Sequence, residues 1–301
     1  MQFEYEDSQN WKDLLDRLAA IREQGRFTED DVEFIRQQLN SEDERLRAAA
    51  ALAADGCQFE PYVLDMLIQL AESDPSDAVR KAALQSLGPV IYEGIMQDME
   101  DQQGSGTAMD FYEEWDEIHG ETLREDYLRV KNLLLSVLQN EFEETGLREA
   151  ALISLSDAGF LESVQDYINE FIRSSRNSSK LVALHAMGKY PRFWEEALAE
   201  YLTPETPKSL LMEAISSSYS SQSSLLAEKL EKLLKLNDPE ILTYTLLTLT
   251  RINRTEGLGA ILQRFSLYPD EKVQKTAKDA IQQLSNRNLE DFLKDELGID
   301  D

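Results

Sequence analysis

The chain has 301 residues, 42% of them hydrophobic, and 58 acidic residues against 30 basic ones give it a net charge of −28. That charge opposes binding to phosphate backbones and anionic lipids, so neither direct nucleic-acid contact nor membrane-surface binding is expected. One cysteine, Cys57, rules out an internal disulfide and any multi-cysteine metal site, and its neighbours include no histidine or base to activate it. The first ten residues are acidic and lack an apolar run, and no stretch approaches the 18 or so apolar residues of a membrane span. The expectation is a soluble, cytoplasmic protein.

Residues 1–28 predict an N-terminal capping helix. Ser8 is its candidate cap, Trp11, Leu14, Leu15, Leu18 and Ile21 form its apolar stripe, and Gly25 ends it. Thr28 and Asp31 form a capping box for a second helix built on Val32, Phe34, Ile35 and Leu39. A turn over 40–43 leads to a third helix ending near Gly56, and a fourth is expected over 61–71.

Residues 73–88, SDPSDAVRKAALQSLG, form the pattern that the rest of the chain repeats. Asp74 reads as an N-cap, Pro75 as the first helical residue, and Asp77 as the third member of a capping-box-like start. Val79, Ala82, Ala83 and Leu87 share one face, and Gly88-Pro89 reads as a stop. The same arrangement returns at 46–49, 147–152 and 181–184, with looser copies near Leu210, Ile241 and Val273. Leu46 and Val79 are 33 residues apart, and later copies follow at about the same interval. Only Val79 to Leu147, 68 residues, is out of step, leaving about one repeat's length unaccounted for.

That gap holds the least regular part of the chain. Residues 90–126 contain 12 acidic residues and a single base, Arg124. Residues 101–108, DQQGSGTA, have the composition of a flexible loop. Met109, Tyr112, Trp115 and Ile118 then recur at helical spacing in a short acidic helix.

Regular pairs resume over 123–139 with 145–157, and over 161–173 with 178–188. Further pairs are expected from 193, 225 and 258. Thr206-Pro207, Asp238-Pro239 and Pro269-Asp270 mark the starts of their second helices, and the last helix ends at Leu284. Leu289, Phe292, Leu293 and Leu297 form an amphipathic segment suited to capping the open end.

Residues 43–56, 76–88 and 146–155 resemble the HEAT-repeat family. The resemblance implies a right-handed α-solenoid, all-α, of about seven helix pairs with one acidic insertion. It divides the chain into a capping helix (1–28), repeats (29–89), the insertion (90–121), further repeats (122–285) and a capping segment (286–301). It also implies a ladder of acid and arginine between successive repeats, for which Asp43 with Arg47, Asp77 with Arg80, and Glu144 with Arg148 are the candidates.

No catalytic constellation stands out. GSGTA lacks the lysine and strand of a phosphate loop, and no nucleophile-elbow spacing accompanies the serine-rich stretch 216–224, which reads as a polar turn. His185 reads as an ordinary helix residue, and His119 lies among acids without a recognisable ligand pattern. No metal, no cofactor and no enzymatic activity are expected. The charge is uneven: residues 1–130 hold 31 acidic and 11 basic residues, net −20, and the remainder is net −8. The leading expectation is a non-catalytic scaffold or adaptor that recognises a basic protein surface. Its binding residues would be Phe111, Tyr112, Glu113, Glu114, Trp115, Asp116 and Glu117. Two alternatives stay open. One is an immunity or nucleic-acid-mimic inhibitor of a basic enzyme. The other, from a similarity to lyase-type HEAT proteins that handle bilins, is an accessory subunit of a bilin lyase-type enzyme.

Overall fold

The computed structural model describes residues 2–103, 113–253, 255 and 257–297. Among these every regular element is helical. In chain order they are α1 (Gln2–Gln24), α2 (Glu29–Leu39), α3 (Glu44–Ala53), α4 (Pro61–Ser73), α5 (Asp77–Ser86), α6 (Gly88–Gln103), α7 (Glu113–Gln139) and α8 (Thr145–Ser154). There follow α9 (Glu162–Ile172), α10 (Asn177–Lys189), α11 (Glu195–Tyr201), α12 (Lys208–Ser217), α13 (Ser224–Leu233), α14 (Pro239–Ile252), α15 (Leu258–Phe265) and α16 (Glu271–Leu297). The chain forms two compact units, Met1–Ile168 and Asn169–Asp301.

In the first unit α3, α5 and α8 pack in succession, and α2, α4 and α7 form the layer beside them. Alanines make that succession close. Ala50, Ala51, Ala82, Ala83, Ala150 and Ala151 are all buried, so neighbouring backbones approach without a large side chain between them. The approach is near enough for hydroxyls to bridge it. Ser86 donates to the Ala51 carbonyl at 2.7 Å, and Ser154 donates to the Leu84 carbonyl at 2.8 Å. α1 packs on α3 through a stripe that buries Leu18 and Ile21, and Gly25, at φ +61°, ends it. Ser8 lies inside α1 rather than at its start. The capping box of Thr28 and Asp31 forms as expected.

Arginines tie the same helices together. Arg47 of α3 donates Nε and Nη2 to Asp74 at 2.7 and 3.0 Å, and its Nη1 to the carbonyls of Ser41 and Glu42. Arg80 of α5 repeats this: both Nη atoms reach Glu143 at 3.0 and 2.8 Å, and Nε reaches the Ala71 carbonyl. The expected ladder is therefore present, but its acids are not those assigned from spacing. Asp74 does not cap α5; it follows α4 and faces the preceding repeat. Asp43 caps α3 and pairs with Arg45, Asp77 is 63% exposed and 3.6 Å from Arg80, and Glu144 caps α8 through the Leu147 N–H.

Because Arg80 holds Glu143 and Ser154 holds Leu84, α5 and α8 are consecutive members of the stack despite the long interval between them. No repeat is missing. The extra chain is α6 and the start of α7, with α6 lying against α7, α8 and the 3-10 turn Ser156–Ala158. Gly88-Pro89 does not stop the chain's helical run but opens α6, and the short acidic helix expected near Trp115 is the first part of the 27-residue α7.

In the second unit α10, α12, α14 and α16 pack in succession, with α11 against α12 and α13, α13 against α14, and α15 against α14 and α16. The hydroxyl bridges continue here: Ser217 donates to the Leu184 carbonyl at 2.7 Å and Thr248 to that of Ile215 at 3.4 Å. Asp238-Pro239 starts α14 as expected, the carboxylate accepting from Glu240 and Ile241 N–H groups. Thr206 does not cap α12; its hydroxyl bonds Thr203, and Pro207 takes the cap position. α16 runs unbroken through the segment expected to form a separate C-terminal cap.

Removing Arg47 would leave Asp74, whose side chain is 3% exposed, as an unpaired charge. Arg47→Ala should therefore cost about 3 kcal/mol in urea unfolding, whereas Asp77→Ala should change stability by less than about 0.5 kcal/mol. Burial raises the Asp74 carboxyl, but the Arg47 guanidinium and the Ser76 N–H outweigh it and hold it below its usual value of 3.8. A depressed carboxyl adds stability above its unfolded pKa and loses it as pH falls through the folded value. The stability gap between wild type and Asp74→Asn should thus be full at neutral pH and shrink as pH falls below about 4, read from urea midpoints at each pH.

Candidate protein-interaction surface

The arginine ladder sets three turns of the first unit side by side: 40–43, 74–76 and 140–144. Their outward groups are mostly acids. Glu42, Glu44, Glu72, Asp77, Glu141 and Glu144 are all exposed. The arginines along this edge are turned to other work. Arg47 and Arg80 have side chains only 13% and 17% exposed, and Arg45 holds Asp43 while lying 4.4 Å over the Trp11 ring. The Arg45 guanidinium and the N–H groups of Arg45 and Leu46 hold the Asp43 carboxyl down at about 2. The edge therefore presents negative charge at any pH near neutrality.

In the middle of the third turn Phe142 is 97% exposed. Its neighbours fix it there. Phe142 N–H bonds Asn140 Oδ1 at 3.1 Å, the Glu143 carboxylate is clamped by Arg80, and the Glu144 carboxylate accepts the Leu147 N–H at 3.1 Å. A phenyl ring held in water by an ordered turn and flanked by carboxylates has the character of an anchor for an apolar group set among positive charges. Sequence reasoning missed it because EFEE in a turn reads as solvated acid; an isolated aromatic at a turn flanked by three glutamates was the available signal.

The aromatic–acidic segment singled out in the sequence falls largely beyond this description. Phe111 and Tyr112 lie outside the described residues. Of Glu113, Glu114, Trp115, Asp116 and Glu117 the helical backbone of α7 is described. Charge is more unequal between the units than between the stretches counted above. Met1–Ile168 holds 38 acidic and 13 basic residues, net −25, which leaves Asn169–Asp301 at net −3.

Nothing in the described residues assembles chemistry around the remaining candidates. No group of three His, Cys, Asp or Glu among them could hold a metal ion. His185 is 51% exposed, with Nδ1 3.4 Å from Glu213 Oε1 on the next helix of the stack. Of the serine-rich stretch 216–224, Ser216 and Ser217 end α12, Ser224 opens α13, and the turn is 218–223: Ser218 bonds the Ala214 carbonyl, Ser221 accepts the Ser223 N–H, and Ser223 caps α13. A shallow cleft lined by Glu33, Arg36, Gln37, Asn40 and Tyr62 lies on α2 and α4, where Asn40 donates to the Tyr62 hydroxyl. No helix among the described residues is long and apolar enough to cross a membrane.

Cys57 is buried, and burial, reinforced by Glu60, pushes its thiol up to about 11. At pH 8 the folded protein should react with a thiol reagent about 100-fold more slowly than the urea-unfolded chain, followed by the release of the reagent's chromophore.

Residues 12–93 match the family model described as HEAT repeats, which covers the copies at 43–56 and 76–88. A comparison with curated proteins returns no match. Among solved structures the chain is similar to an engineered protein at 16% identity and a TM-score of 0.37, over 85% of this chain and 97% of that one. It is also similar to YibA of Escherichia coli (16%, TM-score 0.35, covering 74% and 82%) and to a designed armadillo repeat protein (17%, TM-score 0.34, covering 82% and 97%).

Proposed function

We propose that this chain, whose residues 12–93 match the family model of HEAT repeats, is a non-catalytic protein-binding scaffold whose first unit receives a basic protein. The observation that carries this reading is the ordered turn edge of that unit, where six exposed acids line three successive turns, Phe142 is exposed in the third, and the nearby arginines are engaged internally. Stacked repeats supply such edges naturally, since each turn contributes a few side chains at a fixed spacing to one continuous surface. A net charge of −25 on one unit would draw a cationic partner from a distance and orient it before contact. Phe142 would then supply the apolar contact that slows release. The segment Phe111, Tyr112, Glu113, Glu114, Trp115, Asp116 and Glu117 offers the same combination of aromatic rings and carboxylates, and we assign it to the same partner.

The reading is tested by capture of partners from native lysate on the tagged chain at low and at high salt. A basic protein should be retained at low salt and released at high salt. With that partner in hand, Phe142→Ala combined with Glu141→Lys and Glu144→Lys should weaken affinity by at least about 10-fold in titration calorimetry. Trp115→Ala combined with Glu113→Lys and Glu114→Lys should do the same if that segment shares the task. A partner whose affinity ignored salt and both sets of changes would count against the electrostatic reading.

A further inference from the structure

α5 and α8 pack directly on each other, so α6 is not a member of the stack but an extra helix laid against α7, α8 and the turn Ser156–Ala158. Its inner side is well made. Val90, Ile91 and Ile95 are buried, and Gly94 lies so close to α7 that a Cβ there would sit 2.6 Å from atoms of the Tyr127 side chain. Only glycine permits that approach, and it fixes how α6 rolls on α7.

The roll leaves a defined outer side. Tyr92 and Met96, one helical turn apart, are 46% and 39% exposed, and Glu93 beside them is exposed as well. Throughout its length α6 contains four acids (Glu93, Asp98, Glu100 and Asp101) and no base. On this side an aromatic ring and a flexible thioether lie beside the exposed Glu93.

We infer that the outer face of α6, centred on Tyr92 and Met96, is a docking site for a basic amphipathic helix. Charge complementarity selects the partner: its apolar stripe would cover Tyr92 and Met96 while a lysine or arginine on its flank meets the Glu93 carboxylate, drawn in by the net charge of −25 on this unit. Methionine suits such a face because its side chain adapts to differently shaped apolar residues. This inference rests on the proposal of a basic partner and gives that partner a secondary structure and a landing place apart from Phe142.

The test uses the full chain and a fluorescein-labelled synthetic peptide of 18 residues, leucine and lysine arranged as an amphipathic helix, read by anisotropy at low salt. Saturable binding is expected. Tyr92→Ser with Met96→Ser should weaken it by at least about 10-fold, and Glu93→Lys, which keeps the apolar pair, should weaken it by several-fold. Tyr92 and Met96 are each more than half buried, so the double-serine variant should melt somewhat below wild type, and binding is compared at a temperature where circular dichroism shows every variant folded. The same peptide with glutamate in place of lysine should not bind. Binding that is unchanged in both variants would overturn the inference while leaving the proposed basic partner standing. Absence of binding, with a basic protein still captured from lysate, would likewise remove the site on α6 alone. Absence of both would remove the underlying reading as well.

Discussion

The guanidinium of Arg80 and the carboxylate of Glu143 are 63 residues apart in the chain and 2.8 Å apart in space, and that contact joins α5 to the turn before α8. It makes α8 the immediate successor of α5 in the stack. It also uses up a cation that would otherwise dilute the acidic edge, and it fixes one flank of the turn that exposes Phe142. The equivalent bond between Arg47 and Asp74 does the same one repeat earlier. Each arginine further satisfies carbonyls at the end of its own repeat's first helix or in the turn that follows, groups that a helix end would otherwise leave without partners.

A second set of contacts is neutral and more persistent. Ser86, Ser154, Ser217 and Thr248 each donate to a carbonyl of the preceding helix in the stack. These hydroxyl bridges appear in both units, whereas the bidentate arginine pairs described here belong to the first. In the second unit the nearest analogue is Lys208, half exposed, between Asp238 and Glu240. An exposed lysine pair contributes little to stability. The division agrees with the charges: the first unit, at net −25, is the one that holds arginine and carboxylate together in semi-buried pairs.

Much of this fold was legible in the sequence, for definite reasons. The repeat announced itself through Ala82-Ala83 and its copies, since closely stacked helices tolerate little else at those positions. Thr28 and Asp238 were legible because capping is local chemistry. What failed depended on partners far along the chain. Asp74, followed by proline, has every local mark of an N-cap, and its true role is set by Arg47 in the previous repeat. Gly88-Pro89 looks like a stop, yet proline is equally at home in a first turn, and Val90, Ile91 and Ile95 supply the buried side that makes α6 a helix. Of the candidate site, the acidity of the first half was plain in the composition. The exposure of Phe142, Tyr92 and Met96 was not, because exposure is decided by what the stack leaves uncovered.

The central claim is that the repeats close beneath α6 and leave it as an appendage available for binding. Native-state hydrogen exchange resolved by mass spectrometry tests it directly. If the stack is continuous, amides of α5 and α8 open together, at a free energy above that of α6, despite the long stretch of chain between them. If α5 and α6 instead exchange as one unit while α8 opens independently, the order of the chain governs stability, and α6 is part of the core.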